Sequence, residues 1–213
     1  MKLAHVQKQA LTHSDFEELY QKLNLSAVER IFRSGKNLYF HTYWIEFDQG
    51  PANRLEELIL KLCRYVDCSN CTGIEWWLSV SDPNATPYWL LKPHFDREDI
   101  SDNANGPMIH PKTGSVLFLR SVPYGELVIF DQEMKHGAFS PVLPQSLEFI
   151  LPKENHYCIF RGNLLHGVMG RLWRKQEKCP IRIALSINYW KNKPTASYVA
   201  TSLDFEEKFL KFS

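Results

Sequence analysis

The chain has no apolar run long enough to cross a bilayer, which excludes an ordinary membrane-spanning helix. It also lacks an excess of charge: 25 Lys and Arg stand against 24 Asp and Glu, for a net charge of +1. A near-neutral chain without a basic stripe gives no electrostatic case for nucleic acid or an anionic membrane surface as a partner. Repeats, low-complexity tracts and linkers are missing, so 213 residues are expected to form one domain over 1–213. Met1-Lys2-Leu3-Ala4-His5-Val6-Gln7-Lys8 lacks the apolar stretch of a secretory signal. Five cysteines is an odd number that no fully paired disulfide framework uses, so a reducing, cytoplasmic setting is expected. Cys68-x-x-Cys71 has no second pair near it in sequence, because Cys158 and Cys179 are distant, and structural zinc is not expected.

What is present is a set of helices followed by short strands. Ser14-Asp15-Phe16-Glu17 reads as a capping box opening a helix to about Leu23. An aromatic, β-branched stretch over 36–47 reads as a strand, broken by Gly50-Pro51. Asn53, with Glu56 three residues on, opens a second helix whose Leu55, Leu58, Ile59, Leu62 and Val66 form one apolar stripe. Strands are then expected over 74–80, 88–95, 116–120, 126–130, 147–151, 155–160 and 181–190, and a helix over 203–212. Loops rich in Gly, Pro and Asn fill 97–115 and 135–145. This pattern predicts a mostly β protein with flanking helices (α+β) and an antiparallel double-sheet, jelly-roll core over 74–190. Residues 1–73 would support the barrel, and 191–213 would close it.

The chemistry centres on Lys92-Pro93-His94-Phe95-Asp96. Two positions apart on a strand, His94 and Asp96 project from one face. An imidazole and a carboxylate so placed are two ligands of a 2-His-1-carboxylate site, which holds iron(II) and leaves positions open for small molecules. The best candidate for the third ligand is His166, far enough along the chain for several strands to run out and back. His41 and His156 lie in strand patterns and read as packing residues; His5, His13, His110 and His136 lie outside them.

Four pieces in order resemble the iron(II)- and 2-oxoglutarate-dependent oxygenases, in particular the prolyl-hydroxylase-like branch. They are Pro93-His94-Phe95-Asp96, the run Tyr124-Gly125-Glu126-Leu127-Val128-Ile129-Phe130, Cys158-Ile159-Phe160-Arg161-Gly162 leading into His166-Gly167-Val168, and Arg182 to Trp190. The resemblance implies a double-stranded β-helix (cupin-like) core with the metal at its mouth. It implies that His94, Asp96 and His166 bind Fe(II) and form the catalytic centre. It also implies 2-oxoglutarate and O2 as co-substrates, with a basic residue of the last core strand on the far carboxylate. A guanidinium fork suits that role. Arg182 is favoured because Arg182, Ala184 and Ser186 alternate onto one face, the small Ala184 leaving room and Ser186 adding a hydroxyl. Arg182 follows His166 at more than the family's usual spacing, and Arg171 is the competitor. Tyr88 and Trp77 are candidate walls of the co-substrate pocket, and Asn188 a candidate for orienting a bound group. The implied reaction is hydroxylation of a small molecule, amino acid or peptidyl side chain with release of succinate and CO2. A cupin-like barrel without turnover, or a metalloenzyme using no keto-acid, are the other readings. No motif sets an oligomeric state.

Overall fold

In the computed structural model the described residues are 2–35, 42–85, 88–99, 108–170, 179–195 and 199–200. The chain opens with strand β1 (Ala4–Gln7), helices α1 (His13–Lys22) and α2 (Leu25–Arg33), strand β2 (Thr42–Glu46) and helix α3 (Arg54–Leu60). The barrel strands follow: β3 (Gly73–Ser81), β4 (Trp89–His94), β5 (Glu98–Asp99), β6 (Met108–Ile109), β7 (Thr113–Phe118) and β8 (Leu127–Phe130). Then come β9 (Glu133–Lys135), β10 (Ala138–Ser140), β11 (Leu147–Ile150), β12 (Tyr157–Arg161), β13 (His166–Met169), β14 (Arg182–Trp190) and β15 (Val199–Ala200).

Two sheets carry the architecture. A seven-stranded sheet has the order β1-β12-β7-β14-β3-β2-β15, and a four-stranded sheet the order β11-β8-β13-β4. From β3 to β14 the chain passes back and forth between them, staying in the four-stranded sheet only from β8 to its partner β11, with β5–β6 and β9–β10 as side hairpins, which makes a double-stranded β-helix. Pairing is antiparallel throughout the barrel, with β15 on β2 the one parallel pair among the described strands.

Alternation along β14 decides what each face does. Ile183, Leu185, Ile187 and Tyr189 point outward and join Trp76, Leu78 and Val80 of β3 under Leu19, Leu23, Leu55, Leu58 and Ile59 of the helices. Arg182, Ala184, Ser186 and Asn188 point the other way, where Ala184 packs with Val116, Phe118, Leu127, Ile129 and Phe160 between the sheets. The outer face is therefore the helix-covered core, and the inner face is free to carry polar groups. A buried chain of hydroxyls ties the outer face together: Tyr157 Oη lies 2.7 Å from Ser115 Oγ and 2.9 Å from Tyr189 Oη, and Ser115 donates to the Ile187 carbonyl at 2.8 Å.

Some local expectations shift. The first helix is capped by Thr12, whose hydroxyl accepts from Asp15 N–H at 3.2 Å, rather than by Ser14. The second helix does begin after Asn53, whose Oδ1 accepts from Glu56 N–H at 3.0 Å, while Glu56 reaches back to Ala52 N–H at 2.5 Å. It ends earlier than its apolar stripe suggests, because Lys61–Tyr65 tightens into a 3-10 turn. Helix α2, capped by Asn24 in the left-handed region at φ 45°, strand β1 and the β9–β10 hairpin carry no sequence signal strong enough to have been expected. The expected helix over 203–212, most of the expected loop centre (100–107) and Arg171 lie outside the described residues.

Candidate metal centre

His94 ends β4 and His166 begins β13, and the antiparallel register sets the two residues directly opposite each other. Close approach of these strands depends on Gly167, where a Cβ would sit 2.9 Å from the Leu91 carbonyl oxygen and 3.0 Å from Pro93 N. The imidazole rings come to 4.6 Å between centroids. Asp96, two residues past His94, closes the triangle: Oδ1 lies 3.5 Å from His94 Nε2 and Oδ2 lies 3.5 Å from His166 Nε2. One ligand atom from each residue falls within 4.8 Å of the other two.

That spacing fits a metal. Bonds of about 2.1 Å at right angles put adjacent donors about 3.0 Å apart, so the three groups, with their ligand atoms within 4.8 Å of one another, need draw in only slightly around an ion. Two imidazole nitrogens and one carboxylate oxygen form the donor set that suits iron(II) with open positions.

Each ligand is held from behind. His94 Nδ1 donates to the Lys92 carbonyl at 2.9 Å and His166 Nδ1 to the Leu164 carbonyl at 3.0 Å. A carbonyl only accepts, so Nδ1 carries the proton in both rings and each Nε2 lone pair faces Asp96. Asn188 on the inner face of β14 donates from Nδ2 to Asp96 Oδ2 at 3.1 Å. His110 Nδ1 donates to the Asp96 backbone carbonyl at 2.9 Å. Burial alone would push the Asp96 carboxyl up, but in the protonated form of the rings, where Nε2 also carries a hydrogen, the His166 and His94 charges hold it well below the usual carboxylate range. Burial works against protonated His94 as well; the Asp96 carboxylate outweighs it and raises the imidazole above its ordinary value. With both imidazoles neutral, two nitrogen lone pairs and one carboxylate face the same point, a donor set that a cation can replace protons on.

Arg182 starts β14 at the opposite end of the same inner face and is 1% exposed. Its Nε donates to the Gly125 carbonyl at 2.9 Å, and its guanidinium carbon lies 5.4 Å from the Phe118 ring centroid. Gly125 has φ +82°, and a Cβ there would meet Arg182 Cδ at 2.8 Å, so the turn requires glycine twice over. Ser186, also buried, lies on the strand between Arg182 and Asn188. Trp77 pairs with Ser186 across β3 and so shares its face. The structure corrects one expectation: Tyr88 is 71% exposed ahead of β4 and does not join the buried set. An edge position leaves its ring to solvent rather than to the space between the sheets.

No family model and no curated protein matches this sequence. Solved structures do. AviO1 from Streptomyces viridochromogenes Tue57 superposes with a TM-score of 0.53 at 12% identity, covering 93% of each chain. The fold is shared; the sequence is not. A prolyl-4-hydroxylase from Pseudomonas putida gives a TM-score of 0.49 at 15% identity over 89% of this chain and 93% of that one. The viral collagen prolyl hydroxylase of Paramecium Bursaria Chlorella virus-1 gives 0.49 at 12% over 90% and 91%.

Reasoning from sequence missed three residues along this inner face and around its ends. His110 read as an ordinary loop histidine, and Gly125 as a plain turn. Glu75 carried the clearest overlooked signal, a lone carboxylate in the nine-residue apolar strand β3.

Proposed function

We propose that this chain is an iron(II)- and 2-oxoglutarate-dependent dioxygenase that hydroxylates a small molecule, amino acid or peptidyl side chain. The observation that supports it best is the convergence of His94, Asp96 and His166 at one end of a face whose other end carries buried Arg182. Iron(II) with 2-oxoglutarate and O2 supplies the oxidising power: one oxygen atom enters the C–H bond of substrate, the other enters succinate, and CO2 leaves.

The chain's own residues do the placing. His94 and His166 present Nε2, fixed by their backbone hydrogen bonds. Asp96 supplies one carboxylate oxygen while Asn188 occupies the other side of the group. Arg182 receives the far carboxylate of 2-oxoglutarate, its Nε anchored on Gly125 so that the fork is set before the co-substrate arrives. Ser186 adds a hydroxyl on the same wall. A dicarboxylate loses hydration at both ends on entering the barrel, and a cation at each end offsets that cost. Folding as one domain, and a cytoplasmic setting suited to five unpaired cysteines, belong to the same reading. No helix among the described residues is long and apolar enough to cross a membrane.

The test is succinate formation from 2-oxoglutarate in the presence of iron(II) and air, with pooled amino acids, peptides and metabolites screened for a product heavier by one oxygen. A barrel that binds metal but forms no succinate would leave the cupin-like alternative standing.

A further inference from the structure

Glu75 is a buried carboxylate that the proposed reaction does not use. It sits on the inner face of β3, directly opposite Asn188 of β14 and Trp44 of β2, and is 8% exposed. Asn188 is the residue that holds Asp96, so Glu75 lies one side chain away from a metal ligand. Its partners are neutral: Oε2 accepts from the Trp190 indole N–H at 3.0 Å, and the Thr42 hydroxyl lies beside the carboxyl. No lysine or arginine among the described residues comes within ion-pair distance of it. Burial pushes the carboxyl up, and the charges of Asp96 and Glu98 add to that effect. A carboxylate taken out of water without a counter-cation is destabilising, and the deficit is removed when a ligand brings the cation.

The walls suit the same guest. Trp44 and Trp190 are both nearly buried beside Glu75, Trp190 with its indole N–H edge on the carboxylate, and tryptophan faces attract ammonium and guanidinium groups. Trp44 already shows this: the exposed Lys193 ammonium stands 5.9 Å from its ring centroid. We infer that Glu75, walled by Trp44 and Trp190, is the specificity residue for a substrate carrying a cationic amine or guanidine. The cation on Glu75 and the carbon to be hydroxylated beside Asp96 would belong to one molecule. This inference rests on the oxygenase reading above for its reaction, but the binding site itself stands on β2, β3 and β14.

Two pairs of probes differ by one charge: Nα-acetyl-arginine amide against Nα-acetyl-citrulline amide, and Nα-acetyl-lysine amide against Nα-acetyl-norleucine amide. The iron(II)-loaded protein is given 2-oxoglutarate and each probe, and succinate is measured over the rate without probe. Tryptophan fluorescence of the metal-free protein is titrated with the same four compounds. Cationic members are expected to be preferred about tenfold or more in binding, and to stimulate succinate formation where their neutral isosteres do not. Glu75→Gln keeps an acceptor for Trp190 but loses the charge, and should bring the preference to within about twofold. Equal binding of charged and neutral members, binding of none, or an unchanged preference in Glu75→Gln would each overturn the inference. Absence of succinate both without a probe and with every probe, alongside a fluorescence preference that Glu75→Gln removes, would instead sink the oxygenase reading and leave the cation site.

Discussion

His94 and His166 stand opposite each other across the β4–β13 pair, and each donates Nδ1–H to the carbonyl two residues before it. This repeated backbone bond fixes both tautomers and turns both Nε2 atoms toward Asp96. Replacing any of His94, Asp96 or His166 by Ala should therefore lower iron(II) affinity by orders of magnitude while leaving the far-ultraviolet circular dichroism near that of the parent. Full iron binding by His166→Ala would remove it from the ligand set.

Arg182 is predicted to govern the co-substrate and not the metal. Losing a buried charge-assisted contact costs about 2–5 kcal/mol, so Arg182→Ala should raise the 2-oxoglutarate requirement by roughly 30-fold to several-thousand-fold. Arg182→Lys should recover part of this, since an ammonium keeps the charge without the fork. Arg171→Ala is the comparison. A large effect there with a small effect at Arg182 would reassign the anchor.

Gly125→Ala probes the support of that arginine. The positive φ costs about 1–2 kcal/mol for a residue with a Cβ, and the new methyl meets Arg182 Cδ. Thermal unfolding should fall by roughly 2–8 °C and half-saturation by 2-oxoglutarate should rise. A stability loss with unchanged half-saturation would show that the Gly125 carbonyl does not set the guanidinium.

Tyr157→Phe separates scaffold from site. It removes the shared hydroxyl between Ser115 and Tyr189 on the helix-covered face, leaving a buried polar group short of a partner. About 1–3 kcal/mol of stability should be lost, with 2-oxoglutarate half-saturation unchanged within about twofold. Chemical denaturation measures the first and steady-state kinetics the second.

Much of this was legible in the sequence where a local signal matched a long-range need. His94-x-Asp96 announced a shared face, and the alternation Arg182, Ala184, Ser186 announced which side of the last strand looks inward; β14 bears out that pattern. Asn53 and its helix were readable because a cap acts over three residues. Strand β1 was not, since four residues at a sheet edge owe their conformation to β12 and not to their own preferences. Helix α2 was hidden by its entry, a left-handed asparagine immediately after α1, where a turn would equally well have fitted. Tyr88 was misplaced because aromatic character near a ligand says nothing about which side of an edge strand the ring takes. Glu75 was visible as a charge in an apolar strand, but its proximity to Asp96 exists only once β3, β14 and the loop after β4 are assembled.

The most direct measurement is anaerobic equilibrium dialysis of iron(II) and labelled 2-oxoglutarate against the parent protein, His166→Ala and Arg182→Ala. The account predicts about one equivalent of each bound to the parent, loss of iron in His166→Ala, and retained iron with lost 2-oxoglutarate in Arg182→Ala. Iron retained by His166→Ala, or no binding of 2-oxoglutarate by the iron-loaded parent, would contradict it.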